Sequence, residues 1–509
     1  MGSSSGATVT PTGTRFRLTA QELIGMIADE SSFVSWDEPI RSPDDHAYAA
    51  ELAAAATKSS TDESVLTGEA LVAGRRVAIV ISEFTFLAGS IGRAVAGRIT
   101  GAIRRATREG LPLLAGPASG GTRMQEGAPA FVSMIAIAAA CANHRAAGLP
   151  YLVYMRNPTT GGVLASWASL GHVSVAEPGA LIGFLGPRVY EALTGQTFPA
   201  EVQTSENLYA HGILDAVVSP EKLRGILVSA LSLMLDSAPN PLPATRPTVG
   251  DRVPDAWESV QRTRTANRPG IRALLRQSAD EVLPLSGTGQ GDSGPGLWLT
   301  LARFGTQSCV VLGQDRAEQR HRGPLGPGAL REARRGMQLC RELNLPLVTV
   351  IDTPGAALTA DAEEHGLAGE IARSLADLVL LPVPTVSLLL GQGTGGGGLA
   401  LLPADVTLAA QHAWLSPLPP EGASAILFRD ASRAGEMARR QKISASDLMD
   451  IGVVDWIIPE RPDAAVEQRS FCRRTGEWIA YALATALALP PESRLERRAE
   501  RYLPSPSGG

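Results

Sequence analysis

Lysine is nearly missing from this chain: of 46 basic side chains, only Lys58, Lys222 and Lys442 are lysines. The arginine bias runs along the whole sequence, as a GC-rich genome produces, and it leaves Schiff-base chemistry few candidates. Cysteine is scarce too. Cys141, Cys309, Cys340 and Cys472 form no CxxC pair and no metal-like spacing, which predicts buried free thiols in a reducing cytosol. No HExxH or GxxxxGK[ST] pattern occurs, and the GxSxG spacing is met only by Gly2-Ser3-Ser4-Ser5-Gly6 in the Ser/Gly-rich lead, not between a strand and a helix, so the nucleophile elbow, the zincin helix and the P-loop are excluded. Residues 391–396 fit GxGxxG only loosely, without an acidic partner at a far strand, which argues against a dinucleotide site. The longest apolar stretch, 375–402, is broken by Pro382, Pro384 and a glycine run, so no spanning helix is expected there. Residues 1–14 are rich in Ser, Gly and Thr and lack the charged and apolar regions of an export signal; they read as a disordered lead of a cytoplasmic protein. A net charge of −5 argues against nucleic acid or an anionic membrane as partner.

What the chain does contain, it contains twice. Leu149-Pro150-Tyr151 leads to Gly161-Gly162-Val163-Leu164-Ala165, and about 235 residues later Val383-Pro384-Thr385 leads to Gly396-Gly397-Gly398-Leu399-Ala400. Leu111-Pro112-Leu113 ending in Gly121 matches Leu345-Pro346-Leu347 ending in Gly355, and Gly212-Ile213-Leu214-Asp215 matches Gly452-Val453-Val454-Asp455. A repeat of this length is a duplicated domain, well beyond solenoid periods.

A length of 509 residues suits two such domains. Pro239, Pro241, Pro243, Pro247 and Pro254 mark an exposed linker, which places the domains at 15–245 and 246–509. Thr19-Ala20-Gln21-Glu22 has the spacing of a capping box. Segments 64–71 and 76–82 flank Ala73-Gly74 as a hairpin, after which short apolar strands alternate with helices over 91–108, 125–147 and 221–235. The second half repeats the alternation, with strands at 307–312, 347–351, 385–390, 406–410 and 453–458, and ends in a polar helix. The fold class is therefore α/β.

Each glycine pair follows a strand and precedes what looks like a helix start. Without a Cβ, backbone N–H groups approach a ligand closely, and at a helix N-terminus the dipole favours an anion. Such donors stabilise an oxyanion, typically worth ~10²- to 10³-fold in rate each. Glycine pairs also permit close packing of helix on strand; their matched positions in both halves favour the oxyanion reading. Side-chain acids and bases offer less. His144, His172 and His211 show no catalytic spacing, and Asp361 with Glu363-Glu364 suits a solvated helix start. A site of backbone donors suits a reaction whose substrates supply the base.

Three stretches of the first half resemble the β-subunit half of acyl-CoA carboxylase carboxyltransferases: Ser119-Gly120-Gly121-Thr122-Arg123-Met124-Gln125-Glu126, Pro158-Thr159-Thr160-Gly161-Gly162-Val163, and 176–188 from Ala176-Glu177-Pro178-Gly179 to Gly186-Pro187-Arg188. The second half resembles the α-subunit half through Trp257-Glu258-Ser259-Val260-Gln261, Arg268-Pro269, Ile351-Asp352-Thr353-Pro354-Gly355-Ala356, Ala362-Glu363-Glu364 and Pro420-Glu421-Gly422-Ala423. The resemblance implies two tandem crotonase-like domains of the ββα superhelix type, which agrees with the repeat.

It further implies transfer of a carboxyl group from carboxybiotin, held on a separate carrier protein, to the α-carbon of an acyl-CoA. Gly161 and Gly162 would hold the thioester enolate, and Gly396 and Gly397 the ureido oxygen of biotin. Ser119, Gly120, Gly121, Arg123, Gly186 and Arg188 fall on the acyl-CoA side. Gly355, Gly395, Gly398, Pro420 and Glu421 fall on the biotin side. Arg93, Arg98, Arg104 and Arg105 either receive CoA phosphates or form a solvated helix face. Expected partners are a biotin carboxylase, a biotin carboxyl carrier protein and further copies of this chain. The four-cysteine zinc ribbon common ahead of bacterial β subunits is absent, so no metal is expected. Gln314-Asp315-Arg316 and Arg320-His321-Arg322 replace the usual basic and glycine pattern. A biotin-independent decarboxylase or hydrolase of malonyl-type thioesters would use the same enolate hole without needing the second glycine pair, and a non-catalytic scaffold subunit is disfavoured by the presence of both intact pairs.

Overall fold

The computed structural model describes residues 17–239 and 254–503. The expected lead and the boundary near residue 245, with Pro241, Pro243 and Pro247 of the linker, lie outside the described residues. Thr19 opens helix Ala20–Ile27 through the predicted capping box: its hydroxyl accepts the Glu22 N–H, and the Glu22 carboxylate accepts the Thr19 N–H at 2.7 Å.

The first half contains β1 (Val34–Ser35), β2 (Val65–Val72), β3 (Arg75–Ser82), β4 (Leu113–Gly116), β5 (Tyr151–Met155), β6 (Thr159–Thr160), β7 (Val173–Ala176), β8 (Ile182–Gly183) and β9 (Ala216–Val217). Its sheet runs β1-β2-β3-β4-β5-β7-β9, with β6 and β8 paired separately. The β1, β2 and β3 pairings are antiparallel, and every later one is parallel.

The second half contains β10 (Glu281–Leu285), β11 (Leu297–Phe304), β12 (Gln307–Gln314), β13 (Leu347–Thr353), β14 (Thr385–Thr394), β15 (Val406–Ala410), β16 (Trp414–Ser416) and β17 (Trp456–Ile458). Its order, β10-β11-β12-β13-β14-β15-β17, repeats the first, again with an antiparallel hairpin feeding a parallel run. β16 pairs with the far end of β14 as β8 does with β6. The duplication seen in the glycine landmarks is thus a duplication of sheet topology.

Parallel strands are covered on both faces, which is why they read as continuous apolar runs. Helices Arg93–Glu109 and Gly127–Ala146 pack over one face of the first sheet around Ile99, Ile103, Ile137 and Val153. On the other face, the core does not stop at the domain boundary. Leu223, Leu227 and Leu231 of helix Pro220–Leu235 share one buried cluster with Leu283, Leu299 and Leu301 of β10 and β11. Each such leucine contributes about 2 kcal/mol of burial, so the seam between halves is held like a domain interior. Arg145 and His172 of the first half also meet Glu342 of the second, at 2.7 and 3.0 Å.

The last helices are less polar than predicted. Helix Gln468–Leu487 buries Phe471, Trp478, Ile479 and Leu483, while its charges face outward. Helix Pro491–Glu500 buries Arg498, whose guanidinium donates to Asp405 at 2.9 and 3.0 Å and to the carbonyls of Leu378 and Leu381 at 2.8 Å. These carbonyls lie at and just past the C-terminal end of helix Leu367–Val379, where a cation is favoured. Segment 375–402 forms a helix end, β14 and a glycine turn. A different segment, Met124–Ala146, is long and apolar enough to cross a membrane by length and composition, with a third of it buried.

Candidate active site

In each half a parallel strand runs into a glycine turn beside the loop that follows the preceding strand. Gly121 and Gly355 occupy those loops, their N–H groups held by Ser119 Oγ at 3.0 Å and Thr353 Oγ1 at 3.1 Å. Loop and turn converge. A Cβ added to Gly121 would lie 3.7 Å from Gly161 Cα and 3.9 Å from Gly162 N; one added to Gly397 would lie 3.2 Å from Ala356 N.

The turns are the helical starts Gly161–Val163 and Gly395–Leu399, with Thr160 and Thr394 as N-caps. An N-cap threonine ordinarily accepts an N–H from the first turn. Neither does so here: Thr160 Oγ1 donates to Ser119 O at 3.2 Å, and Thr394 Oγ1 is buried without a hydrogen-bond partner. The first-turn donors of Gly162, in a 3-10 turn, and of Gly396 and Gly397, in an α-helical turn, thus lack the usual side-chain acceptor and have none within their own helix. Gly161 is different, because its N–H donates to Phe184 O at 3.0 Å.

Backbone geometry corrects the register of the repeat. Gly161 and Gly395 both sit in the left-handed region, at φ 65° and 61°, each just after its threonine. Gly161-Gly162 and Gly395-Gly396 are half-buried, whereas Gly397 and Gly398 are buried. The sequence pairing of Gly161-Gly162 with Gly396-Gly397 therefore runs one residue late, because a run of four glycines offers no landmark of its own.

Other expected residues take supporting places. Ser119 is buried and holds Gly121, while the Gly120 N–H donates to Ala88 O at 2.9 Å. Arg123 is 1% exposed, and all its nitrogens face protein acceptors, among them Glu63 at 2.5 and 2.7 Å, Ser90 O at 2.9 Å and Tyr48 Oη at 3.2 Å. Those contacts commit its guanidinium to bracing the loop; a salt-bridged guanidinium is not legible from an SGGTR string. Burial and the Glu126 carboxylate push the neighbouring Tyr48 phenol up to about 12.

Gly186 caps helix Pro187–Thr194, which carries Arg188, a residue whose side chain lies outside the described set. Pro420 starts helix Pro420–Phe428, and Glu421 pairs with Arg264 at 2.5 Å, which holds its carboxyl below the usual range. Gly398 rests on Gly393. Arg98 is committed to Asp37 and Asp62 at 3.2 and 2.7 Å, and Arg105 lies over the Trp36 ring and pairs with Glu109, which leaves Arg93 and Arg104 on the exposed face.

His144 and His172 are buried structural groups and His211 ends a helix; Asp361 pairs locally with His365 at 3.3 Å. Beneath the second turn lies a polar group that sequence reading missed. Asp352 Oδ1 accepts the Gln392 N–H at 3.1 Å, and its Oδ2 faces Arg316 Nε at 3.4 Å. Burial raises the Asp352 carboxyl and lowers the Arg316 guanidinium from their usual values.

Both turns open onto apolar surface. Phe131 and Ile135 on helix Gly127–Ala146, with Met124 and Phe184, are exposed around the first; Leu358, Leu399, Leu418 and Ile426 are exposed around the second. The larger cavities lie elsewhere. One of about 690 Å³ is lined by Arg331, Arg334 and Arg341 of helix Pro327–Leu343, and another of about 650 Å³ by Trp36, Arg98, Arg105 and Arg108.

Comparison with known proteins agrees with this architecture. The carboxyl transferase domain matches residues 13–493. A probable biotin-dependent acyl-coenzyme A carboxylase beta3 subunit of Mycobacterium tuberculosis is 57% identical over 96% of this chain and 98% of its own length. The acetyl-coenzyme A carboxylase carboxyl transferase subunits beta/alpha of Salinispora arenicola are 35% identical over 96% of this chain and 91% of theirs. Among solved structures, transcarboxylase 12S superposes with a TM-score of 0.74 at 21% identity, covering 97% of this chain and 92% of that one. A single-chain, multi-domain long-chain acyl-CoA carboxylase gives 0.69 at 19% identity over 90% of this chain and 45% of its own. The fold is a tandem pair of crotonase-like α/β domains, and the chain belongs to the carboxyl transferase domain family.

Proposed function

We propose that this chain is the carboxyltransferase component of a biotin-dependent acyl-CoA carboxylase. One observation carries the reading: each half presents a glycine turn whose threonine cap withholds its hydroxyl, leaving first-turn N–H groups without that acceptor and available to a ligand. Two such turns suit a reaction with two oxyanions. Carboxybiotin, brought as a substrate on a separate carrier protein, supplies the carboxyl group.

Breaking its N–CO₂ bond leaves charge on the ureido group, and removing the α-proton of the thioester leaves charge on an enolate. The freed ureido nitrogen takes that proton, and the enolate carbon bonds the released CO₂, so no protein base is required. Backbone donors preorganised for such oxygens are worth ~10²- to 10³-fold each.

Gly162 would donate to the acyl-CoA enolate, with Gly161 shaping the turn. Gly396 and Gly397 would donate to the ureido oxygen. Ser119, Gly120, Gly121, Gly186 and Arg188 lie on the acyl-CoA side, and Gly355, Gly395, Gly398, Pro420 and Glu421 on the biotin side. The exposed apolar rims support an assembly in which the first half of one protomer faces the second half of another, a homo-oligomer like the hexamer described for transcarboxylase 12S. The setting is cytoplasmic, with a biotin carboxylase and a biotin carboxyl carrier protein as partners.

The test supplies the chain with biotinylated carrier, biotin carboxylase, ATP, bicarbonate and a panel of acyl-CoAs. Carboxylated thioester forming only when the carrier is present is the expected result. Decarboxylation of a malonyl-type thioester with no carrier would replace this reading with a biotin-independent one.

A further inference from the structure

The two glycine turns are built to unequal stiffness. The first has two glycines and then Val163, and Ser166 Oγ, one helical turn on, donates to Gly162 O at 2.6 Å. The second has four glycines in succession, each with more backbone freedom to lose than any other residue, and Ala400 stands where the repeat would place that serine. A turn of this composition does not hold its own shape.

Support arrives from the sheet. Gln314, the last residue of β12 and fully buried, donates from Nε2 to Gly397 O at 2.7 Å. Its Oε1 accepts the Asp352 N–H at 3.2 Å. The two partners fix the amide orientation, since a flip would set oxygen against the carbonyl and NH₂ against the N–H. Next along the strand, Thr353 Oγ1 accepts the Gly355 N–H at 3.1 Å and donates to Gln319 Oε1 at 2.8 Å. One side-chain amide thus ties the turn carrying Gly396 and Gly397 to the strand end that carries the facing loop of Gly355. In the first half, the residue ending β3 is Ser82, whose hydroxyl is buried without a partner, so that position supplies no equivalent tie.

We infer that Gln314 is a positioning residue for the second oxyanion turn: it holds the Gly397 carbonyl so that the first-turn N–H groups keep their aim, without touching substrate itself. This rests on the carboxyl-transfer reading above and specifies which turn depends on a remote side chain.

The experiment compares wild type, Gln314→Met and Gln314→Glu in the full carrier-dependent assay, with thermal unfolding and acyl-CoA binding measured on the same samples. The methionine keeps length and loses both hydrogen bonds. The glutamate keeps the acceptor for Asp352 N–H and, once ionised, has no donor for Gly397 O, so its loss of rate should deepen as pH is raised while that of the methionine stays constant, which separates that one bond from overall folding. Both variants should lose about tenfold to hundredfold in kcat, with KM and affinity for acyl-CoA within twofold of wild type, because the first turn is untouched. Decarboxylation of the carboxylated carrier in the absence of acyl-CoA should fall in step.

If wild type transfers carboxyl and both variants keep kcat within twofold, Gln314 has no positioning role. Loss of kcat only in proportion to the unfolded fraction, or with an equal loss of acyl-CoA affinity, also overturns it. Absence of transfer by wild type would instead strike the functional reading.

Discussion

Arg335 and Asp215 stand on opposite halves of the chain and close on each other through two N···O contacts of 2.9 Å. Asp215 also accepts the Ser174 N–H at 2.8 Å and the Ser286 N–H at 3.1 Å, so one carboxylate joins β7 to the second half. Asp215→Asn keeps the shape and strands a largely buried guanidinium. Losing one partner of such a pair costs about 3 kcal/mol, and the urea midpoint of the whole chain should fall accordingly. An unchanged midpoint would mean that the Arg335–Asp215 pair adds nothing to the seam.

Acid should loosen the same seam. His172 Nδ1 accepts the Tyr151 N–H at 3.0 Å, so its proton sits on Nε2 and donates to Glu342. Burial lowers His172 below its usual 6.5 and lowers His144 to about 4. Below pH 6.5 the unfolded chain binds protons that the folded chain refuses, so stability is full above that value and drains as pH falls toward 4. Glu342 adds a later loss. Burial raises its carboxyl, but His172, Gln338 and Arg145 together bring it down to about 2, so its contribution goes as pH falls from the ordinary carboxylate range toward that value. Glu332, pushed up to about 7 by burial, works the other way over the same range, so the histidine is read by difference: in urea titrations between pH 8 and pH 4.5 the midpoint of wild type should fall relative to that of His144→Gln as pH drops below 6.5.

Substitution at the turns should cost rate before stability. A Cβ on Gly162 would meet Thr122 Oγ1 at 3.3 Å, and one on Gly396 would meet the tip of Ile371 at 2.7 Å. Both neighbours are side chains with room to adjust. Gly162→Ala and Gly396→Ala should therefore fold while crowding the donors, with kcat down about 10²-fold. Circular dichroism melts taken beside the kinetics separate the two effects. Full activity in Gly396→Ala would remove the second oxyanion site.

The exposed rim of the first turn should prove to be an interface. Phe131 and Ile135 are 64% and 72% exposed on one helix. Ile135→Asp should lower the molar mass found by light scattering and abolish transfer, with the protomer still folded by circular dichroism. An active monomer would show that a single chain completes the site.

Much of the architecture was legible because its signals are local. The Thr19 capping box, the strands Tyr151–Met155, Val173–Ala176 and Val406–Ala410, and the doubled order of elements all follow from short patterns. β11 escaped prediction because it is buried along nearly its whole length and carries no alternation to read. Helix Gln468–Leu487 looked polar because arginines interrupt a stripe, Phe471, Trp478 and Leu483, that only the folded partners define.

At the site, glycine marked the turns, yet what distinguishes them is a threonine hydroxyl turned away and a distant Gln314. Both are consequences of packing. Arg123 misled for the opposite reason: it sits in a motif beside the site, but Glu63, remote in sequence, claims it.

The buried cluster that joins helix Pro220–Leu235 to β10 and β11 makes the peptide connection between the halves redundant for cohesion. Two polypeptides divided between that helix and helix Ala256–Thr263 would each present a large apolar face needing the other. A gene split at that point would encode an obligate heterodimer, and a gene fusion there would gain stoichiometry while leaving the contact surface as it was.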